Sequence, residues 1–155
     1  MSILYYNVYN NLINLTRNKK LYQYLQRKDN FSDRLTFFLF HFSFFLKNFK
    51  KSNDRQILQK IYDYNFRQLE LSIREIGYGD QSINKKMKIY INHFHSMLSD
   101  IHFWDDLSIQ NKREIFYKYL TDFDNFDNII SYFDDFDKNL SKNTLNNFSK
   151  SVINV

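Results

Sequence analysis

Four histidines, His41, His93, His95 and His102, are the imidazoles that could ligate a metal or carry a proton in this chain. His93 and His95 lie two apart, so on a helix they point about 200° away from each other and cannot share an ion. His95 and His102 face the same way, but two imidazoles alone make a poor metal site. His41, inside an aromatic run, reads as a buried, hydrogen-bonded histidine. A second group, Asp122, Asp124, Asp127, Asp134, Asp135 and Asp137, invites a calcium loop. Such a loop needs a glycine at its sixth position and a glutamate at its twelfth, and Asp127 and Phe133 stand there instead. An acidic solvated helix face is the expectation. The chain has no cysteine and no serine in a recognisable nucleophile elbow. No catalytic residue, metal or cofactor is therefore assigned, and an enzyme is not expected.

What remains is the stretch Arg74-Glu75-Ile76-Gly77-Tyr78-Gly79-Asp80, which holds both glycines of a chain without proline. A glycine just past a helix can take the left-handed conformation that ends it. A second glycine two residues on allows another unusual turn or a close approach of backbone to a partner. There is no third glycine, no preceding strand and no Gly-Lys-Ser/Thr, so a nucleotide cradle is not formed. Arg74, Lys85, Lys86 and Lys88 supply positive charge and donors around the turn. Two readings stay open: a binding surface, or an ion pair and cap between Arg74, Glu75 and Asp80 that fixes the angle of two helices.

Those two helices follow from periodicity. Ile83, Met87, Tyr90, Ile91, Phe94, Met97, Leu98 and Ile101 step by three or four, predicting an amphipathic helix over about 83–104 with Ser82 as its cap. Leu58, Tyr62, Leu69, Ile73 and Ile76 predict its predecessor, capped by Asn53 or Asp54. Leu35–Leu46 is the longest apolar run, twelve residues broken by Thr36, His41 and Ser43. A membrane span needs about 20 apolar residues, so this run is expected to be a central core helix, capped by Ser32 or Asp33 and continuing to about Lys50. Ile3, Val8, Leu12 and Leu15 mark a helix over about 3–16, and a short one is expected at about 19–27. Ser108 caps another reaching about Leu120, and Phe123 to Phe136 suggest one more. The expectation is all-α: a single compact helical domain of six to seven helices over 1–140, followed by a polar C-terminal tail, 141–155.

Charge is unevenly spread. Residues 1–60 carry eleven Lys/Arg against three Asp/Glu, whereas 101–155 carry six against nine. A basic front suits phosphate backbones or anionic headgroups, and Arg34, Lys47, Lys50 and Lys51 flank the core helix. Solvated helix faces account for the same charges equally well. The 17 Phe and 12 Tyr, with abundant Asn, Ile and Lys, fit an AT-rich genome better than a selected aromatic function.

The block Leu71-Ser72-Ile73-Arg74-Glu75-Ile76-Gly77-Tyr78-Gly79-Asp80, followed by Ile83, Lys85-Lys86-Met87-Lys88 and Phe94, resembles the ubiquinol–cytochrome c chaperone family. These are Cbp3-type assembly factors of the cytochrome bc1 complex. Arg34-Leu35 and His41-Phe42 resemble its arginine-started segment with a leucine–histidine helix, and residues 9–25 its opening helices. The resemblance spans about 5–120 and is strongest over 58–97. Departures are Asp33-Arg34-Leu35-Thr36 for the family's Gly-Arg-Phe-Asp, and Phe94-His95-Ser96-Met97 for its Phe-Tyr-Gly-Arg. The resemblance implies a non-catalytic helper that binds newly made cytochrome b, with the ribosome near the tunnel exit, an anionic membrane surface and a second assembly factor as further partners. It implies partner-binding roles for Arg34, His41, Arg74, Glu75, Gly77, Gly79, Asp80, Lys85, Lys86, Lys88 and Phe94. Family-like helices beginning almost at Met1 point to an alphaproteobacterial, cytoplasmic protein; the resemblance implies a peripheral place at the inner membrane, or the mitochondrial matrix for a eukaryotic protein. The alternative is a peripheral membrane or lipid/quinone-binding helical module; an RNA-binding adaptor rests on charge alone.

Overall fold

The computed structural model describes residues 2–51 and 54–150. Among them are seven α-helices: α1 (Ser2–Thr16), α2 (Phe31–Phe49), α3 (Arg55–Ile76), α4 (Asp80–Ile101), α5 (Ile109–Tyr119), α6 (Asp127–Ser141) and α7 (Leu145–Ser149). No strand occurs among the described residues; one isolated antiparallel bridge joins Leu25 to Phe123. The all-α expectation holds.

α2 is the axis. It packs against α1, α4 and α6, while α3 lies on α1 and α4, α5 on α6, and α7 on α1. Every residue from Phe37 to Phe45 is buried, the pattern of a helix covered nearly all round. Its phenylalanines set the packing: Phe44 stacks on Phe133 of α6 at 5.1 Å between ring centres and meets Trp104 edge-on at 5.0 Å. On the other side Phe42 stacks on Phe94 of α4 at 4.9 Å. Among the described residues no helix is long and apolar enough to cross a membrane.

Capping follows side-chain chemistry, with some shifts from expectation. Asn30, not Ser32 or Asp33, caps α2. Its side chain accepts from the Asp33 N–H while the Asp33 carboxylate accepts from the Asn30 N–H, a reciprocal capping box. Asp54 caps α3 and Ser108 caps α5 as expected; Asn53 lies outside the described residues. The helix expected at 19–27 is only a 3-10 turn, Lys19–Tyr22. The backbone beyond is taken by another partner: Gln26 N–H donates to Asp122 O and Asp124 N–H to Tyr24 O.

The segment expected as a polar tail begins with part of the core. Leu145 and Phe148 of α7 are buried. Asn7 and Asn11 of α1 reach across to donate to Ser149 O and Phe148 O at 2.8 and 2.7 Å. Two apolar residues among Asn, Ser and Lys suffice when α1 supplies amides to the last carbonyls of a short helix. Residues 151–155 of that tail lie outside the described residues.

The aspartates expected on one solvated face are instead distributed among bases from the rest of the chain. Asp137 is buried, accepting two hydrogen bonds from Lys47 Nζ at 2.9 and 3.1 Å and one from Asn48 at 2.8 Å. Asp122 pairs with Arg27, Asp127 with Arg113, and Asp134 with Lys112 and the Trp104 indole N–H. Part of the charge asymmetry is thus consumed inside the fold, where the basic front meets the acidic back.

Candidate functional site

The α3–α4 hairpin is built by one left-handed residue and two buried stripes. Leu58, Ile61, Phe66, Leu69 and Ile73 bury one side of α3. Gly77, at φ 106°, ends it, its N–H donating to Arg74 O. No L side chain adopts that conformation readily, so the first glycine is where expectation put it. Gly79 differs. Its φ of −76° and ψ of 163° are open to any residue, and nothing lies within 4 Å of where a Cβ would stand. No unusual turn occurs there. Gly79, rather than Ser82, is the N-cap of α4, and no side chain caps that end.

Arg74 bridges the two helices, donating to Asp80 and, at 3.4 Å, to Glu70. The ion-pair reading of Arg74 and Asp80 is therefore realised in the geometry, with Asp80 itself largely in solvent. Glu75 is exposed beside them. Hydrogen bonding to Asp80 raises the pKa of Arg74, holding it charged.

Lys85 and Lys88 are exposed, and Lys86 Nζ sits 4.4 Å above the Tyr78 ring, a cation–π contact. Around these cations stand apolar side chains in solvent: Leu71, Ile76, Tyr78 and Ile89. Ile76 was expected to close the α3 stripe, but it is half exposed because the stripe ends at Ile73. Lys85 and Ile89 lie one turn apart on the outward face of α4. Lys88 borders a shallow groove of about 360 Å³ between α3 and α4, where Glu70, Asn84, Met87, Ile91 and Asn92 complete the lining.

Of the residues singled out, the fold thus gathers Arg74, Glu75, Gly77, Gly79, Asp80, Lys85, Lys86 and Lys88 at one end of one hairpin. The other three lie elsewhere. Phe94 is fully buried among Phe42, Tyr62 and Phe66. His41 is fully buried, its Nδ1 donating to Phe37 O at 2.6 Å and its Nε2 accepting from the Tyr132 hydroxyl. Burial pushes its pKa down to about 4. Both side chains are core, with no surface to offer a partner. Arg34 stands at the start of α2, half exposed and paired with Asp29 at 3.0 Å. Lys47, expected to flank the core helix as a surface cation, is the partner of buried Asp137. His95 engages the Tyr62 hydroxyl at 3.1 Å.

Sequence reasoning missed the exposed apolar residues of the hairpin. The signal was present for Ile89, which falls off the three-four stripe and directly follows Lys85, Lys86 and Lys88.

Among the described residues no cluster of ligands for a metal occurs, and the exposed turn displays apolar and cationic groups together. The family model for ubiquinol-cytochrome C chaperone matches residues 23–101, just over half of the chain, and the protein belongs to that family. The match takes in α2, α3, α4 and the whole hairpin, and leaves α1 outside. No curated protein and no solved structure matches the chain.

Proposed function

We propose that the protein is a non-catalytic assembly chaperone of the cytochrome bc1 complex that binds newly made cytochrome b through the α3–α4 hairpin. The observation that carries this reading is the family match over residues 23–101, a range that includes the whole hairpin. Exposed apolar side chains among cations suit a hydrophobic client segment next to anionic lipid or acidic residues. Gly79 supports the same surface: its backbone conformation does not require glycine, while its bare backbone allows close approach. The RNA-adaptor reading, which rests on charge alone, is weakened by the pairing of Arg27 and Lys47 with Asp33, Asp122 and Asp137.

The test is site-specific photo-crosslinking. With a benzophenone side chain at position 78 or 89, irradiation during synthesis captures cytochrome b; at position 117, on exposed Tyr117 of α5, it does not. Absence of a cytochrome b adduct at 78 and 89, or equal capture at 117, overturns the assignment to the hairpin.

A further inference from the structure

A second concavity lies away from the hairpin, where α1, the first half of α2 and α3 meet. Its volume is about 170 Å³. Ile13, Phe31, Leu35, Phe38 and Leu69 form its apolar walls. The small hydroxyls in the lining are already satisfied within their own helices: Thr16 Oγ1 donates to Leu12 O at 2.8 Å and Ser72 Oγ to Gln68 O at 3.0 Å. Tyr9, also in the lining, has its pKa raised by burial and stays neutral. The interior of the cleft therefore offers dispersion contacts rather than polar recognition.

Its edge is different. Arg17, in the turn just past α1, and Arg34 from α2 both border it. Arg17 is exposed and has no ion pair among the described residues. Arg34 meets Asp29 through one guanidinium nitrogen, which leaves further N–H donors free. Two guanidiniums beside one apolar cleft favour an anion attached to an apolar group. Arg34 is offset in part by Asp29, and Glu75 lies outside the lining, so Arg17 is the lining cation without an ion pair among the described residues.

Size narrows the occupant. The cleft is smaller than the roughly 300–1,000 Å³ of pockets for drug-sized ligands, and close to the roughly 150 Å³ cavity size that accepts benzene. It takes an apolar group on the scale of six carbons. A neutral quinone would leave both arginines unused.

We infer that this cleft binds the chain of a single-tailed anionic amphiphile, its carboxylate or phosphate head held by Arg17 and Arg34. The site needs no client protein, so its failure leaves the cytochrome b reading untouched, and the converse also holds.

The probes are straight-chain alkyl carboxylates from butanoate to decanoate, titrated below micelle formation into the full chain with methyl groups observed by NMR. Octanoate shifts the methyl resonances of Ile13, Leu35 and Leu69. Each added methylene tightens binding about threefold to fourfold until about six are accommodated, then the gain levels off. Octanol binds at least about tenfold more weakly than octanoate, and Arg17→Gln with Arg34→Gln removes that preference. A parallel arm uses phosphatidylcholine vesicles with and without the single-chain lipid lysophosphatidylglycerol. Vesicle binding that needs both arginines identifies the amphiphile as a membrane lipid, whereas binding of the free carboxylate alone identifies a fatty acid. No shift at the three methyls, equal affinity for octanol, or octanoate binding unchanged in the double arginine variant overturns the inference.

Discussion

His41 gives the fold a defined response to acid. Its ring is wholly enclosed, with Phe133 and Phe136 centred 5.0 and 5.1 Å away. Phe37 O takes the Nδ1 proton, so Nε2 accepts from Tyr132. Protonating Nε2 would bury a charge and break that bond. Burial lowers the pKa from 6.5 to about 4, so between those values the unfolded chain binds a proton that the folded chain refuses. Stability from this residue is complete above the unfolded value, falls as pH drops from 6.5 towards 4, and loses nothing more below that. Between pH 7.0 and 5.5 the loss is about 1.2 kcal/mol. That corresponds to a urea midpoint lower by about 0.5 M. His41→Asn removes the titration while keeping an amide in the pocket. The variant is less stable at both pH values, but its change between them is smaller than wild type's by about 1.2 kcal/mol. Comparing slopes cancels every other titrating group. Identical slopes for wild type and variant would refute the buried neutral histidine.

Lys47→Met leaves the Asp137 carboxylate buried without its cation and costs about 3–5 kcal/mol, read as a lower midpoint in urea at pH 7; a change under about 1 kcal/mol would restore the solvated acidic face. Gly77→Ala forces a Cβ into the left-handed region and costs about 1–2 kcal/mol, whereas Gly79→Ser is neutral or slightly stabilising because serine caps a helix better than glycine. Thermal melts of the two variants distinguish these outcomes, and equal losses would mean that Gly79 is also a backbone requirement. Phe94→Ala empties a fully buried ring site and costs about 3–5 kcal/mol; a fully stable Phe94→Ala would contradict its place in the core.

The helices were legible because their signals are local. The three-four stripe of Ile83 to Ile101 survives intact in α4, and the apolar run around His41 becomes the covered axis α2. Where expectation failed, the cause was a partner distant in sequence. Residues 23–27 carry helical composition, but the backbone around Phe123 claims their hydrogen bonds. Asp137 looked like its neighbours until Lys47, ninety positions earlier, arrived beside it. α7 is too short to announce itself, and its carbonyls depend on Asn7 and Asn11. For the site, the glycine block located the hairpin, and charge located its lysines. Phe94 and His41, brought in by the family resemblance, lie in the core beneath the hairpin and α6 rather than on a surface. The arginine-edged cleft was invisible in sequence, because Arg17 and Arg34 are brought together only by the packing of α1 on α2.

The central claim, that this chaperone-family protein serves assembly of the cytochrome bc1 complex, is tested most directly by a reduced-minus-oxidised haem spectrum. Membranes are compared from cells lacking this gene, with and without a restored copy. The account predicts selective loss of the cytochrome b signal of that complex, recovered on restoration. A spectrum unchanged by the loss of the gene would contradict it.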